Sequence, residues 1–169
     1  MDAGTGSTGG GHGRGRAPAA WTCSQCGRCC HQDIPLTLMD IHRIARHMGW
    51  SAERAFTHCT APGAVARVSG VLVMRKNPAG ACVFLSNDNL CSIYEHRPRV
   101  CGFYPCRDIA RRDKPRWREL YLASADYATF WEHAIASRAT RDYIRSHGTQ
   151  WNPAAWDAAL HDISRCIAS

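Results

Sequence analysis

Lysine is almost missing from this chain. Of 21 basic residues only Lys76 and Lys114 are lysine; the rest are arginine. With abundant alanine, that bias points to a GC-rich coding sequence rather than to a binding preference. Long apolar runs are missing too. No window approaches 18 consecutive apolar residues, which excludes a transmembrane helix. The first twenty residues lack the apolar stretch of a secretory signal. The expected compartment is therefore the cytoplasm, with no membrane partner. Catalytic signatures are equally scarce. There is no Walker A loop, no G-x-S-x-G elbow and no dinucleotide fingerprint, since the glycine run at 9–11 precedes no strand–helix unit. His42 and His47 do not stand in H-E-x-x-H spacing with an acidic residue, so a zinc hydrolase is not indicated. The C-x3-C-x2-C spacing of radical enzymes is absent, and no segment repeats.

What is present is ordinary in bulk and unusual in one residue type. The 169 residues are 45% hydrophobic and 21% charged. That fits one globular domain and excludes wholesale disorder, collagen and coiled coil. Cysteine is the exception, at 10 residues. This is sparse for a short disulfide scaffold and far too many for chance in a reducing compartment, where such clusters bind metal or do chemistry. The net charge of +7 is also concentrated. Residues 97–118 hold eight basic side chains against only Asp108 and Asp113, which is nearly the whole excess.

Residues 1–20 are mostly Gly, Ser, Thr, Ala and Arg and read as a disordered tail. The pattern then predicts a cysteine-cluster domain over 21–107 and a helical C-terminal extension over 108–169. Thr37 and Asp40 fit a capping box opening a helix from Leu38 to Met48. Ile41, Ile44, Ala45 and Met48 form its apolar stripe, and Gly49 stops it. Ser51 caps a short helix over 52–58. Residues 64–76 read as strand, Ser-Gly turn, strand. Turns follow at 77–80 and 86–89, with extended pieces at Cys82–Leu85 and Cys91–Tyr94. Pro98 suits N1 of a short helix carrying Val100 and Cys101. Residues 116–146 predict a long helix burying Leu120, Tyr127, Phe130, Trp131, Ala134 and Ile135, ended by Gly148. Asn152-Pro153 opens a last helix over 153–167, with Trp156, Leu160, Ile163 and Ile167 on one face.

Cys23-x2-Cys26-x2-Cys29-Cys30 is the strongest signal. Thiols three residues apart in a tight loop can converge on one small inorganic centre, and inward backbone N–H groups can stabilise a negative cluster. Structural zinc more often uses two separated C-x2-C knuckles, and no second knuckle exists here. The spacing leans towards iron–sulfur. A second set, Cys82, Cys91, Cys101 and Cys106, sits at turns and element ends. Eight candidate thiolates allow two four-cysteine sites, or one site with the remainder in redox or packing roles. Cys59 and Cys166 are isolated and read as buried, inert thiols. His31, next to Cys30, is a lesser candidate ligand.

These residues, with Ile34-Pro35-Leu36-Thr37, Asp40, Arg43-Ile44-Ala45, Phe84-Leu85 and the block Cys91-Ser92-Ile93-Tyr94-Glu95-x-Arg97-Pro98-x-x-Cys101-x-Phe103-x-Pro105, resemble the CxxCxxCC cysteine-cluster family. The resemblance covers about 21–107. Its members are described as zinc- or iron-chelating domains. It implies a metal centre on Cys23, Cys26, Cys29, Cys30, Cys82, Cys91 and Cys101, with Cys106 where such proteins often place a further cysteine. Flagellin lysine methylase, similar in its cysteine motif, is linked to a 4Fe–4S cluster. The family commonly has Arg after Cys101, where this chain has Gly102. The last 60 residues match nothing recognisable.

Around that centre, Arg97 is expected to offset thiolate charge and Glu95 to orient Arg97, with Tyr94 in the same block. The basic stretch at 97–118 allows three roles: compensating cluster charge, binding nucleic acid or an acidic partner, or simply facing solvent. Trp117 and Tyr121 could stack on a base there, or face the core. The expected fold is a small α+β domain: short strands and turns around a thiolate metal centre, packed by helices. The expected cofactor is an iron–sulfur cluster, 4Fe–4S in first choice, with Zn²⁺ or an iron ion as the alternative. Three functions follow: a metal protein with a redox or accessory role, a cluster-dependent enzyme modifying a protein or peptide, or a structural zinc adaptor with an arginine-rich face.

Overall fold

The structure, a computed structural model, describes residues 26–65, 67–103 and 127–168. The tail at 1–20, Cys23, Cys106, the basic residues from Arg107 to Arg118, Trp117, Leu120 and Tyr121 lie outside them.

The fold is α+β. Five α-helices and one two-stranded antiparallel sheet are formed by the described residues. Helix α1 spans Leu38–Met48 and opens with the capping box: the Thr37 hydroxyl accepts from the Asp40 N–H, and the Asp40 carboxylate accepts from the Thr37 N–H. Ile41, Ile44 and Ala45 are buried at helical spacing, and Gly49 ends the helix. Met48, expected on the same stripe, is exposed instead, because it stands in the last turn, beyond the core. Helix α2 spans Ala52–Cys59; Ser51 accepts from the Arg54 N–H, and Ala55, Phe56 and Cys59 are buried.

Strands β1 (Thr60–Val65) and β2 (Val68–Met74) pair antiparallel, with Thr60 opposite Met74 and Val65 opposite Val68. The hairpin therefore reverses between Val65 and Val68 and not at Ser69-Gly70, and it begins four residues earlier than expected. The signal was hidden because Thr60-Ala61-Pro62-Gly63 is poor in strand formers. Gly63 is required by packing rather than propensity: a Cβ there would lie 2.5 Å from Val73 Cγ2. The outer edge of β2 is also used. The Leu36 N–H donates to the Leu72 carbonyl (2.9 Å), and the Met74 N–H to the Ile34 carbonyl (2.8 Å). Ile34–Leu36 thus ties the cysteine turn before it to the sheet.

After β2 the chain has turns and single bridges. The expected strand at Cys82–Leu85 is reduced to a bridge between Lys76 and Cys82 and another between Leu85 and Cys91. Helix α3 spans Arg99–Phe103, one residue after Pro98. Helix α4 spans Tyr127–His147 and α5 spans Pro153–Ala168. Asn152 caps α5 through the Ala155 N–H (3.0 Å). The Tyr143 hydroxyl donates to the Gln150 carbonyl (2.7 Å) and accepts from the Asn152 N–H (2.9 Å), closing the turn between α4 and α5.

The buried face of α4 differs from the apolar pattern. Ala136, Thr140 and Tyr143 are buried, whereas Trp131 is 53% exposed and Ala134 and Ile135 are half-buried. Apolarity misled here because a polar residue sits in the core with its hydroxyl satisfied. Thr140 donates to the Ala136 carbonyl (2.7 Å) and accepts from the Leu38 N–H (2.9 Å). Leu38 opens α1, where N–H groups have no partner within the helix, so α4 caps α1 from outside. On α5, Trp156 and Ile163 are buried, while Ile167 is exposed where the helix runs past the core. One core joins both parts of the chain: Phe56 packs against Tyr143, Trp151 and Trp156, with ring centroids 6.1, 5.4 and 6.2 Å away.

Candidate metal centre

The cysteine run begins its described course at Cys26 and turns through Gly27. A 3-10 turn follows over Arg28–His31, with the Cys30 N–H donating to the Gly27 carbonyl (3.0 Å). Gly27 has φ +69°, and a Cβ on it would approach Asn89 Oδ1 to 2.9 Å. The positive φ is what calls for glycine, since the Asn89 side chain could swing aside. The cysteine turn lies here against the Ser86–Asn89 turn, which leads into Cys91.

Hydrogen bonds join the Cys82 segment to this turn. The Cys82 N–H donates to the Cys30 carbonyl (2.8 Å), and Lys76 Nζ donates to the carbonyls of Cys30 and Gln32. One of the two lysines therefore clamps the cysteine turn to the Cys82 segment. The Phe84 N–H points at Cys82 Sγ (3.5 Å), a backbone donor aimed at sulfur. The Cys91 carbonyl accepts from the Tyr94 N–H (3.2 Å), starting a 3-10 turn over Tyr94–His96. Cys101 rides on α3.

Electrostatics shows that the thiols share one neighbourhood. The Cys29 thiol is lowered to about 6, first by a hydrogen bond from Cys30 and further by the positive charge of Arg97. The Cys30 thiol is pushed up as the donor in that bond, then by burial and by the charges of Cys29, Cys82 and Cys91. Burial pushes Cys82 up, reinforced by Cys91 and Cys29 and opposed by Lys76. Burial raises Cys101 most, and Cys29, Cys82, Asp40 and Cys91 add to it. Five predicted ligands, Cys29, Cys30, Cys82, Cys91 and Cys101, thus lie within electrostatic reach of one another. Without a cation they resist ionising together, and a cation among them would reverse that. Among the described residues, no three His, Cys, Asp or Glu side chains stand close enough to hold a metal ion. Cys26 is exposed at the edge of the turn.

Arg97 lies with its guanidinium carbon 4.0 Å from the centre of the Tyr94 ring. Its Nη1 is buried and has no hydrogen-bond partner among the described residues. A buried guanidinium donor beside a thiolate-prone sulfur fits a negatively charged centre, because an unmet charged donor is costly unless an anion lies near it. Arg97 does not require glycine after Cys101: a Cβ at Gly102 would meet Arg97 Nε at 3.9 Å, an ordinary contact. Glu95 is exposed, and no ion pair joins it to Arg97 among the described residues. Tyr94, rather than Glu95, orients the arginine.

The residues set aside are also informative. Cys59 is fully buried, its thiol pushed up to about 12 by burial and then by Cys82. Cys166 is exposed rather than buried, because the end of α5 overruns the core. His31 is exposed. An open groove of about 550 Å³ between α4 and α5 is lined by residues including Asp142, Tyr143, Ala155 and Cys166, and by none of the predicted ligands. Two residues around the centre carried no ligand signal in the sequence. Lys76 counted only as charge, and Asp40 as a helix cap and part of the family's matched block.

Fold and site together define a small α+β domain built around clustered thiols. The chain belongs to the CxxCxxCC family, whose model matches residues 22–122 and is described as a putative zinc- or iron-chelating domain. No curated protein and no solved structure matches the chain. No helix among the described residues is long and apolar enough to cross a membrane.

Proposed function

We propose that this chain is a metal protein that holds an iron–sulfur centre, 4Fe–4S in first choice, and serves a redox or accessory role. The reading is carried by one observation. Cys29, Cys30, Cys82, Cys91 and Cys101 are within electrostatic reach of one another, with the unpartnered Nη1 of Arg97 beside them. Cys23, Cys26 and Cys106 complete the candidate ligands. Four thiolates on an oxidised 4Fe–4S core, or on Zn²⁺, leave a net charge of about −2. Arg97 and Lys76 carry the opposite charge at the site. When bound, an iron–sulfur cluster would supply one-electron chemistry. The protein's own part is to gather the thiols, aim the Phe84 N–H at sulfur and keep the centre partly buried.

A zinc centre is the second reading, favoured by an all-sulfur donor set, which suits Zn²⁺ equally. In that case the domain is a structural adaptor, and the arginine-rich stretch at 97–118 is its binding face for nucleic acid or an acidic partner. The cluster-dependent enzyme remains a third proposal. The groove between α4 and α5 gives it no support, since no predicted ligand lines it.

The test is metal and sulfide content, with an absorption spectrum, on the full chain purified without oxygen. Iron with acid-labile sulfide and a broad band near ~400 nm is expected for thiolate-bound clusters. One or two zinc ions per colourless chain would replace the first reading with the second. Full metal occupancy in both Cys26→Ser and Cys29→Ser would overturn the ligand assignment.

A further inference from the structure

Asp40 is 1% exposed, and four hydrogen bonds converge on its carboxylate. Oδ2 accepts from the Thr37 N–H (3.0 Å) and the Thr37 hydroxyl (2.7 Å), which belong to the α1 capping box. Oδ1 accepts from the Arg43 guanidinium (2.6 Å) and from the backbone N–H of Arg99 (2.9 Å). A capping box needs only its own N-cap residue and first turn. The Arg99 bond spans 59 residues and ends on the first residue of α3, two residues before Cys101.

Helix α3 has five residues, too few to hold itself together. Its opening N–H groups have no partner inside the helix, and Pro98 before it has no N–H to offer. The direction in which α3 points, and with it the Cys101 thiol, therefore depends on what holds its start from outside. The Arg99 guanidinium also reaches Glu132 on α4, at 3.4 Å, but both side chains are 39% exposed. An ion pair that open to water holds position weakly. The bond to Asp40 is partly buried and ends on a fully buried carboxylate, which makes it the firmer tie.

We propose that Asp40 is a positioning residue of the metal centre: one carboxylate caps α1 and α3 together and so sets where the Cys101 thiol stands relative to the Cys29–Cys30 turn. The proposal rests on reading Cys101 as a ligand. The four bonds of Asp40 go to backbone, hydroxyl and guanidinium, so its role is to place a ligand rather than to be one.

The experiment uses the full chain purified without oxygen, carrying the metal it acquires. Iron, zinc and sulfide per chain, the thiolate-to-metal absorption spectrum and the rate of metal loss to EDTA are compared among variants. Arg99→Pro removes the N–H that Asp40 accepts, at a first-turn position that tolerates proline, and leaves the α1 cap intact. Arg99→Ala removes the guanidinium and keeps the N–H. Arg99→Pro and Asp40→Asn are expected to alter the spectrum and to lose metal about tenfold faster, the usual scale for residues that orient ligands. Arg99→Ala should stay close to the wild-type spectrum and rate. Thr37→Ala weakens the α1 cap and removes one of the four bonds to Asp40, but leaves its Oδ1 bond to the Arg99 N–H in place; it should lower the thermal midpoint and shift the spectrum less than Asp40→Asn does. If Arg99→Pro behaves as Arg99→Ala does, or if Thr37→Ala shifts the spectrum as far as Asp40→Asn, the positioning role is overturned. If Asp40→Asn does not fold, the Arg99 pair still decides. Cys101→Ser separates the two levels. An unchanged spectrum and metal content there overturns Cys101 as a ligand, and the role of Asp40 with it. Metal loss in Cys101→Ser beside a wild-type Arg99→Pro overturns the role of Asp40 alone.

Discussion

The cysteine-bearing half and the C-terminal helical hairpin are built by opposite means. Helices α4 and α5 are regular, 21 and 16 residues long, and joined by a turn that Tyr143 and Asn152 close. Between Cys26 and Cys101 the candidate ligands sit on 3-10 turns, single bridges and a five-residue helix. The hairpin holds its shape through repeated backbone bonds and a packed apolar face. The cysteine turns hold theirs through isolated long-range bonds: Cys82 to Cys30, Lys76 to Cys30, Arg99 to Asp40. Regular structure is redundant, so no single bond is critical. Turn-built structure has no such reserve. A bound metal would supply what it lacks, since ligation energy is also folding energy.

The largest expected effect separates the halves directly. Chelating the metal under anaerobic conditions should speed amide hydrogen exchange by orders of magnitude across residues 26–36 and 76–101, with a much smaller change in α4 and α5, because metal binding and folding are coupled where the ligands are. Equal acceleration in both halves, measured by mass spectrometry, would dissolve the distinction. Next comes the reverse perturbation. Trp156→Ala empties the core contact with Phe56 and should cost about 3–5 kcal/mol in denaturant unfolding while the metal content per chain stays unchanged. Loss of metal at low denaturant in this variant would mean that the hairpin also shapes the site.

A smaller effect sharpens the comparison. Lys76→Met keeps the aliphatic stem and removes the donor to the Cys30 and Gln32 carbonyls. Metal loss to a chelator should rise about tenfold, with a stability cost of only about 1 kcal/mol, since the Cys30 carbonyl keeps the Cys82 N–H and the Gln32 carbonyl is open to water. A wild-type rate of loss would show that the clamp is structural only. The smallest effect is at the far end of α5. Cys166→Ser, on an exposed thiol away from the cluster, should change neither the metal content nor the thermal midpoint. Any loss of metal there would add a ligand that the fold places elsewhere.

The same contrast explains what could be read before the fold was known. Helix α1, its Thr37–Asp40 capping box and its Gly49 stop are local patterns, and they form where the residues predict. So do α2, the Asn77 turn and the Asn152 cap of α5. The errors fall where an interaction is remote. The strand at Thr60–Gly63 exists because Gly63 fits against Val73, which composition does not reveal. The buried face of α4 is set by Thr140, a polar residue whose two bonds to Ala136 and Leu38 appear only in three dimensions. Ile167 and Cys166 are exposed because the end of α5 runs past the core.

Sequence by itself determined the residue types at the candidate centre. The spacing from Cys23 to Cys30 and the block from Cys91 to Cys101 are chemical statements that need no coordinates, and they carry the family. Which segments meet was decided by tertiary structure: Cys82 is tied to Cys30, and the helix that carries Cys101 to Asp40, by bonds between segments remote in the chain. Tertiary structure also gave second tasks to Lys76 and Asp40. A side chain's type and spacing are local properties, whereas the partner of a buried donor depends on every element packed around it.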